Sequence, residues 1–554
     1  MMKPVLKQKR FLCLTIIFLS EFLSACSSTP KKDTSPSQNP IKETDTADTS
    51  GFLAAVENEP DTVDFQCTSI FYEVALNTFN RLVEMESRED GCVEIVPSLA
   101  ESWDISGDRC SYTFHLRDQV RFSNGALLTS SDVLYSFQRL LTHPDACNRD
   151  IIREIVGADR LEKGETDELE GFSILSDLDF VITLEHPFEA FLACLCMPGA
   201  SIMDEDTTRA AGDRFGLDPA CTIGTGSFIF TEWEAGKRLL FTANPDCWMG
   251  PPSCAGLDLR FLTDAVEVRN LFEDGELDVL DLDELGDAAE YFMHGDIYQD
   301  RLYEVLQIGI TYIALNESIE PLQDVRVRKA MQLALDRQAL LDAVYSGLGH
   351  VENGIFPHGL AGFDPELPTI PYDPEGAAAL LEEAGYPHGF DLTVSVKSSA
   401  TLWERTLMTL TASMWNEIGI RTDVQVIEED TFMSQRKNGS LACYAATWVA
   451  DYNDPDNFIY TFFGNRENTT FRSLCYPRQE IMDRAERARG ISDETERIRE
   501  YQQLEEIIVQ EDAAWIPLFS RLRFYVVGEN VQGFRVSWNG SVKPCYRDIS
   551  VKEN

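Results

Sequence analysis

The residues with the clearest chemical potential lie at the end of a short apolar segment, residues 441–450. Asp451 follows this segment directly, and an acidic turn at residues 453–455, Asn-Asp-Pro, comes next. If the segment is a strand, its side chains alternate between two faces, so Ala446 and Trp448 share one face. Two interpretations fit this pattern. One is a buried strand whose aspartate caps a turn. The other is an accessible backbone with an aromatic pocket and a carboxylate that binds a positively charged group.

Sequence motifs that would indicate an enzyme are incomplete. Residues 224–227, Gly-Thr-Gly-Ser, lack the lysine of a phosphate-binding loop and the Gly-x-Ser-x-Gly order of a nucleophile elbow. No two histidines have the i, i+4 spacing of a zinc-binding helix. The histidines are His115, His143, His186, His294, His350, His358 and His388. We therefore predict no enzymatic activity, no metal site and no cofactor.

The composition is that of a folded protein with several domains. The chain has 554 residues, more than the roughly 250–300 at which single cores stop growing. Its 44% hydrophobic and 10% aromatic residues are typical of a globular protein. A net charge of −46 excludes a nucleic-acid partner, because such a partner requires a basic surface. The acidic surface could attract cationic ligands, but a solvated surface is the simpler explanation.

The first residues predict export and lipid attachment. Four basic residues between positions 3 and 10 precede a short apolar stretch, residues 11–19. This stretch is too short to span a bilayer, which takes about 20 residues, and is typical of a signal peptide. Residues 23–26, Leu-Ser-Ala-Cys, resemble a bacterial lipobox. We predict that residues 1–25 are a signal peptide and that Cys26 is lipid-modified.

The segment after the lipobox, residues 26–50, is rich in Ser, Thr, Pro and charged residues. It cannot bury enough apolar surface to fold, so we predict a lipidated flexible tether. The protein would then lie outside the cytoplasm, anchored to the cell membrane. The sequence leaves open whether this is a bacterial cell surface or a periplasm.

Twelve cysteines remain after Cys13, in the signal peptide, and Cys26 are set aside. An even number in an exported chain is compatible with disulfides. Cys247 and Cys254 are candidates for a local disulfide. The pairing of the other cysteines stays open, because buried free cysteines also behave as small apolar residues.

The elements expected around these residues alternate between strand and helix, which predicts α/β domains. Residues 51–59 predict a first strand, and residues 69–84 have the apolar spacing of a helix. A strand is expected at residues 111–117. A helix follows over residues 129–140, with Thr129 or the next serine as its N-cap.

Two later helices have clear start signals. Asp324 and Asp373 are each placed to cap a helix, and Pro374 takes the first helical position after Asp373. Gly385 is expected to end that helix in a left-handed conformation.

Five sequence blocks, in one order, resemble the family 5 extracellular solute-binding proteins, the oligopeptide- and dipeptide-binding receptors of bacterial ABC importers. The resemblance spans nearly all of the chain after the tether. The blocks are residues 97–140, residues 224–228 (Gly-Thr-Gly-Ser-Phe) with Trp233 and Asn244-Pro245, residues 272–278, residues 315–337 and residues 372–386.

The resemblance implies an α/β, periplasmic-binding-protein-like fold of the class II type. In this fold two large lobes close over the ligand by hinge motion, and an extra smaller lobe is present. Lobe I would be discontinuous, with residues 51–90, 222–310 and 520–554. Lobe II would be residues 91–221, and lobe III residues 311–519.

The same resemblance implies a ligand site in the segment described first. It matches the pattern Trp-x-Ala-Asp-Tyr-Asn-x-Pro of the oligopeptide-binding receptors. In that pattern the aspartate, here Asp451, holds the α-ammonium group of a peptide. The backbone before it, with Trp448, Val449 and Ala450, pairs with the peptide as an added strand. Asn453 belongs to the same pattern, and Trp448 would also be a wall of a side-chain pocket.

Other positions match the family's ligand-facing residues one by one. Trp415 resembles a pocket wall, although core packing on its apolar helical face is an equal alternative. Tyr135 resembles a ligand-facing residue of lobe II. Ala445 stands where oligopeptide receptors can carry an arginine for the peptide carboxylate. Arg405 or Arg436 could substitute for it.

The resemblance therefore predicts a monomeric, lipid-anchored substrate-binding protein that captures extended oligopeptides for the permease and ATPase of an ABC importer. Alternatives are dipeptides, nickel chelates or haem bound by the same machinery, or a receptor for a peptide signal. Peptide length, and the choice between uptake and signalling, stay open at the sequence level.

Overall fold

The computed structural model describes residues 51–552, apart from residues 57, 70, 88–92, 284, 286–288 and 541–544. The predicted signal peptide, Cys26 and the tether lie outside the described residues. Within the described part, no helix combines the length and the apolar character needed to cross a membrane.

The central feature is a mixed sheet of ten described strands in the order β17-β13-β18-β11-β1-β10-β9-β8, with β12 and β14 also paired with β18. Strand β18 has 13 residues, almost all buried, and joins the two halves of the sheet. The described strands are β1 (Phe52–Val56), β2 (Val83–Ser87), β3 (Val93–Pro97), β4 (Ala100–Ile105), β5 (Ser111–Leu116), β6 (Phe172–Ile174), β7 (Asp179–Thr183), β8 (Phe228–Glu234), β9 (Arg238–Ala243), β10 (Gly256–Phe261), β11 (Val279–Asp281), β12 (Leu302–Leu306), β13 (Gly309–Leu315), β14 (Gly349–Val351), β15 (Phe390–Lys397), β16 (Ile420–Ile427), β17 (Cys443–Val449), β18 (Trp515–Val527), β19 (Val531–Gln532) and β20 (Ser550–Val551).

Smaller sheets and helices surround this sheet. Strands β4-β5-β7-β6 form a four-stranded sheet, and β15-β16, β2-β3 and β19-β20 form pairs. The described helices are α1 (Glu73–Thr78), α2 (Ser130–Thr142), α3 (Ala158–Glu162), α4 (Phe191–Cys194), α5 (Glu205–Ala211), α6 (Ala265–Glu273), α7 (Ala289–His294), α8 (Val325–Leu333), α9 (Arg337–Tyr345), α10 (Pro374–Glu383), α11 (Leu402–Glu417), α12 (Glu429–Lys437), α13 (Asp456–Phe463), α14 (Arg466–Phe471), α15 (Gln479–Ala488) and α16 (Glu494–Glu506). The prediction of an α/β fold is confirmed.

The buried apolar side chains form separate clusters. One cluster draws on residues 82–202. Another combines residues 52–79 with residues 203–259 and the C-terminal strands. Two more lie within residues 308–519. Tyr452 is an exception to this grouping, because it lies after β17 in sequence but packs in the first cluster. The segment after β17 is therefore in contact with the 82–202 region.

Local sequence signals were reliable where the structure depends on local contacts. Strand β1 lies inside the predicted strand. Thr129 caps α2 in a capping box with Asp132. Asp373 caps α10, and Gly385 beyond its end has a φ of +94°, in the left-handed region.

The predicted helix at residues 69–84 is largely wrong. Only Glu73–Thr78 is helical, and Val83 begins strand β2. Val83 pairs with Pro97 at the start of an antiparallel ladder between β2 and β3. The hydrogen bonds to β3, the next strand along the chain, outweigh the helical apolar spacing at the end of the segment.

The predicted disulfide between Cys247 and Cys254 is also wrong. Both thiols are free. The Cys247 sulfur lies 3.9 Å from the hydroxyl oxygen of Ser227, whereas the Cys254 thiol faces the carbonyl oxygen of Gly256 at 3.6 Å. The two buried side chains therefore have separate neighbours and pack as small apolar groups.

Candidate ligand-binding site

Strand β17 is an edge strand of the ten-stranded sheet. It pairs along its whole length with β13, and no other described strand hydrogen-bonds to its opposite edge. The amide of Ala450 donates to the carbonyl oxygen of Ile308 at 2.8 Å, so the even-numbered residues turn their backbone groups toward β13. In an antiparallel ladder the alternate residues then turn theirs away. The residues whose amide and carbonyl groups point to the free edge are Ala445, Thr447 and Val449.

Asp451 lies where this edge ends. Its carboxylate is accessible to solvent, yet protein surrounds it, so the group lies in a cleft. Burial in the cleft, reinforced by the negative charge of Asp150, raises the pKa of Asp451 to about 6. The Asn457 amide and the positive charge of Arg472 act in the opposite direction. An added cation would stabilise the charged form of this carboxylate.

Asn457 fixes the geometry of this carboxylate. Its side-chain oxygen accepts from the backbone amide of Asp451 at 3.0 Å, and its Nδ2 donates to Asp451 Oδ2 at 3.1 Å. The same oxygen accepts from the indole Nε1 of Trp448 at 3.3 Å. Asp451 Oδ1 has no hydrogen-bond partner among the described residues and is available to a ligand.

Trp448 and Arg472 form an aromatic and cationic wall beside Asp451. The guanidinium of Arg472 lies 4.5 Å from the Trp448 ring and 4.7 Å from the Phe462 ring, and these two rings meet edge to face. The buried Nε of Arg472 has no hydrogen-bond partner among the described residues. Burial lowers the pKa of Arg472 below its ordinary value, and the negative charge of Asp451 acts in the opposite direction.

The opposite side of the cleft is formed by residues from the N-terminal half. Asn148 Nδ2 donates to the hydroxyl of Tyr72 at 3.2 Å, and Asp150 follows two residues later. Burial, and to a smaller extent the charges of Asp451 and Asp150, raise the pKa of Tyr72. Burial likewise raises the pKa of Asp150. These groups therefore share one electrostatic environment with Asp451.

Arg489 holds the two sides together. Its Nη1 donates to Glu154 at 2.6 Å, close in sequence to Asp150, and its Nε lies 3.2 Å from Asp456, close in sequence to Asp451. This side chain is 8% exposed and bridges two segments more than 300 residues apart. These ion pairs join the two walls of the cleft in this structure.

A cavity of about 250 Å³ opens beside the middle of β17, between β15, α11 and α12. Ala445, Ala446 and Thr447 line one wall. Arg436 lines another wall, and its buried Nε has no hydrogen-bond partner among the described residues. An arginine in place of Ala445 would occupy part of this space, so the alanine leaves room for Arg436 to act there.

Arg405, the other arginine predicted as a substitute, forms hydrogen bonds at the start of α11. Its Nε donates to the carbonyl oxygen of Ala400 at 3.0 Å and its Nη2 to that of Ser398 at 2.5 Å. These bonds hold the start of α11. Of the two candidate arginines, only Arg436 lines the cavity.

Trp415 and Tyr135, which resemble ligand-facing residues of the family, are both buried in this structure. Trp415 is fully buried, and its indole Nε1 donates to the carbonyl oxygen of Met331 at 3.0 Å. It packs in the core beneath the sheet, because the apolar face of α11 is covered there. Tyr135 is 8% exposed and its ring is covered by the guanidinium of Arg209 at 4.4 Å. Both side chains are therefore enclosed by protein.

Two residues of the matched segment are also engaged in the fold. The carbonyl oxygen of Ala450 accepts from Asn539 Nδ2 at 2.9 Å, and its amide is bonded to Ile308. The Asn453 side chain accepts from the amide of Ala361 at 2.8 Å. The backbone of Trp448 points toward β13, so at this position only the indole faces the site. Of the three residues expected to pair with a peptide, Val449 turns its backbone groups to the free edge, whereas Trp448 and Ala450 do not.

Sequence reasoning missed Asn457 and Arg472. Asn457 lies in the first turn of α13, six residues after Asp451, and the Asp-Pro-Asp turn between them was the only local signal. Arg472 follows α14 and has no motif that would connect it with Trp448.

A comparison with protein-family models and known proteins finds clear relatives. The model described as bacterial extracellular solute-binding proteins, family 5 Middle, matches residues 94–470. Di/tripeptide-binding protein 2 of Pseudomonas aeruginosa is 30% identical over 465 residues, which cover 81% of this chain and 85% of that protein. Heme-binding protein A of Haemophilus influenzae is 28% identical over 538 residues, which cover 94% of this chain and 96% of that protein.

Solved structures show the same fold. The periplasmic binding protein DppA from Helicobacter pylori, in complex with the peptide STSA, has a TM-score of 0.75 and 23% sequence identity. The match covers 91% of this chain and 98% of that one. The predicted periplasmic-binding-protein-like architecture is confirmed.

The fold and the cleft therefore define a solute-binding protein. The chain belongs to the bacterial extracellular solute-binding proteins of family 5, as its sequence blocks predicted. Proteins of this family bind peptides, dipeptides or haem for ABC importers, act outside the cytoplasm and are not enzymes.

Proposed function

We propose that this protein is a lipid-anchored receptor that captures peptides in an extended conformation and delivers them to an ABC importer. The observation that carries the proposal is the free edge of β17 with the open oxygen of Asp451 at its end. Main-chain pairing with such an edge gives affinity without reading side chains, and neighbouring pockets give looser selectivity. The similarity to a di/tripeptide-binding protein supports the same class of ligand.

The ligand's ammonium group would bind Asp451 Oδ1. In the ligand-free cleft this carboxylate has a pKa of about 6, raised mainly by burial, and a bound ammonium would stabilise its ionised form. The peptide backbone would pair with the outward-facing groups of Thr447 and Val449. The Trp448 indole, held by Asn457, would contact the first side chain of the peptide.

Position 445 is an alanine and provides no arginine for the ligand's carboxylate end. Another arginine would hold that end. Arg436 lines the cavity beside Ala445, and its Nε has no hydrogen-bond partner in the described part of the chain. The same holds for the Nε of Arg472, a second cation, whose charge also acts on Asp451. A short peptide would reach Arg472, and a longer one would reach Arg436.

Closure and anchoring complete the proposed mechanism. Lobe I (residues 51–90, 222–310 and 520–554) and lobe III (residues 311–519) would close over the ligand by hinge motion, with lobe II as the smaller additional lobe. The lipid would be attached at Cys26. Cys26→Ala should move the protein from the membrane fraction to the soluble exported fraction, whereas Ser27→Ala should leave it in the membrane fraction.

Haem is a second candidate, because the similarity to Heme-binding protein A covers 94% of this chain. Arg436 and Arg472 would then face the carboxylates of the porphyrin. Native mass spectrometry of the protein purified from its producing cells separates the two candidates. A ladder of peptide masses supports the proposal, and a single haem mass with its visible absorption would overturn it.

Co-purified peptides should be lost in Asp451→Asn and retained in Asp483→Asn. Asp483 is an exposed carboxylate on α15 that accepts a hydrogen bond from Gln479. Each variant removes one carboxylate, so the two have the same net charge. Equal peptide content in both variants would show that Asp451 does not hold the ligand.

A further inference from the structure

Three donor side chains meet outside the ligand cleft. Asp64 and Cys67 lie in the loop after β1, and His143 follows the last residue of α2. The thiol sulfur of Cys67 lies 3.4 Å from Asp64 Oδ2 and 3.3 Å from His143 Nδ1. The three donor atoms all lie within 4.8 Å of one another, and this is the one such group found among the described residues.

The distances from the Cys67 sulfur to the other two donors fit a tetrahedral metal ion. Zinc binds thiolate sulfur at about 2.3 Å and imidazole nitrogen or carboxylate oxygen at about 2.0–2.2 Å. In a tetrahedron these bond lengths place sulfur about 3.5 Å from the other two donors. Both contacts of Cys67 come within 0.2 Å of that estimate.

Without a metal two of the three groups are only partly satisfied. Asp64 already accepts from the guanidinium of Arg139. The Cys67 thiol has one hydrogen and faces two acceptors, so it can donate to only one of them. His143 Nδ1 also accepts a long bond of 3.3 Å from the amide of Asp145. The Asp64 carboxylate and the His143 ring nitrogen therefore face a single thiol hydrogen.

Cys147 is a neighbouring thiol outside this group of three. Its amide donates to the carbonyl oxygen of Gln66 at 2.8 Å, which places it beside Cys67. Its thiol lies 3.4 Å from the Cys67 carbonyl oxygen and is exposed, and it would have to rotate to join the other donors. Arg139 already pairs with Asp64 Oδ2, so this oxygen would be shared between the guanidinium and a metal.

We propose that Asp64, Cys67, His143 and Cys147 form a binding site for a thiophilic divalent cation of the Zn²⁺ type. On binding, each cysteine thiol releases its proton to solvent and forms a sulfur–metal bond, with no change of oxidation state. Asp64 Oδ2 and His143 Nδ1 donate lone pairs. One carboxylate, two thiolates and Arg139 leave two negative charges, which the divalent ion neutralises.

The site would stabilise one wall of the ligand cleft. Asn148 Nδ2, next to Cys147, donates to the carbonyl oxygen of Thr68 at 3.1 Å and to the hydroxyl of Tyr72. A metal that joins the loop of Cys67 to the loop of Cys147 would hold this network in place. Its role is structural, and it does not depend on which solute the cleft binds.

Zinc titration of the full-length chain tests the proposal. The protein is reduced, freed of metal with a chelator, and titrated with Zn²⁺ alone by calorimetry. Cobalt provides a second readout through its thiolate charge-transfer absorption. We expect one Zn²⁺ per chain and a rise in the melting temperature. Cys67→Ser and His143→Gln should each weaken binding at least tenfold, whereas Cys110→Ser, which alters a cysteine outside the cluster, should bind as the wild type does.

The melting temperatures of Cys67→Ser and His143→Gln without metal establish whether these variants are folded. For a folded variant, weaker Zn²⁺ binding reflects the lost ligand. Equal Zn²⁺ affinity in the wild type and Cys67→Ser would overturn the proposal, as would the absence of stoichiometric binding. Peptide mapping of the native protein without reductant is the second measurement. A Cys67–Cys147 disulfide in that map would also overturn it, because the thiols would then be unavailable to a metal.

Discussion

Replacement of Asp451 by asparagine would remove the charge that we expect to hold the ligand's ammonium group. The change preserves the shape of the side chain, and its oxygen can still accept from Asn457 Nδ2, which is 3.1 Å away in the wild type. Removal of one partner from a buried charge pair costs about 3–5 kcal/mol. Because the Asp451 carboxylate is accessible to solvent before binding, the lower value applies, about 3 kcal/mol, or roughly a hundredfold in Kd.

The pH dependence of peptide affinity provides a second quantitative prediction for Asp451. The pKa of Asp451 in the ligand-free cleft is about 6, and a bound ammonium group would lower it. The complex therefore binds fewer protons than the free protein below pH 6. Affinity should be constant above about pH 6 and should fall as the pH decreases, by up to about tenfold per unit. This decrease should be absent in Asp451→Asn.

Calorimetry with a peptide identified by mass spectrometry, in free and N-acetylated forms, would test both expectations. Acetylation removes the ammonium from the ligand, so the wild type should lose about as much affinity with the acetylated peptide as Asp451→Asn loses with the free one. In the variant, acetylation should have little further effect. If acetylation weakened the wild type and the variant equally, the ammonium would bind elsewhere and the assignment of Asp451 would be refuted.

Three further predictions concern residues around this site and in the core. Arg436→Met should weaken binding of longer peptides about tenfold or more and leave dipeptides unaffected, which a length series of peptides in calorimetry would reveal; equal effects at all lengths would contradict it. Asn457→Ala should weaken peptide binding about tenfold with little loss of melting temperature, because Asp451 and Trp448 lose their shared partner. Glu505 is 1% exposed, and burial raises its pKa to about 8 although it accepts two backbone amides. Because this pKa lies above the unfolded value of about 4.3, the wild type loses stability as pH rises to about 8. Glu505→Gln does not titrate, so its melting temperature relative to the wild type should increase from pH 5 to pH 8; a constant difference would contradict this.

Local sequence signals predicted what local contacts determine. The caps at Asp324 and Asp373 were readable because an aspartate side chain bonds to amides only two or three residues away. The segment at residues 69–84 had an equally clear helical spacing, but Val83 pairs with a strand that follows it. The sequence of that segment alone does not contain the competing interaction.

The candidate site also has a part that local sequence signals predict and a part that depends on remote residues. The motif around Asp451 located the end of the edge strand, but the engagement of Ala450 with Asn539, and of Asn453 with Ala361, depends on residues about 90 positions away. Trp415 was equally compatible with a pocket and a core, since an apolar helical face does not specify what covers it.

The sequence by itself determined the family, the α/β class and the position of the carboxylate at Asp451, because these follow from residue order and short-range pattern. Only the tertiary structure determined which groups surround that carboxylate. It brought Arg472 onto Trp448 and Arg436 into the cavity beside Ala445. It also brought Cys67 to His143, 76 positions away. The physical reason is that burial, pKa and metal-ligand spacing depend on distances in space, and the fold sets these distances through contacts between residues remote in sequence.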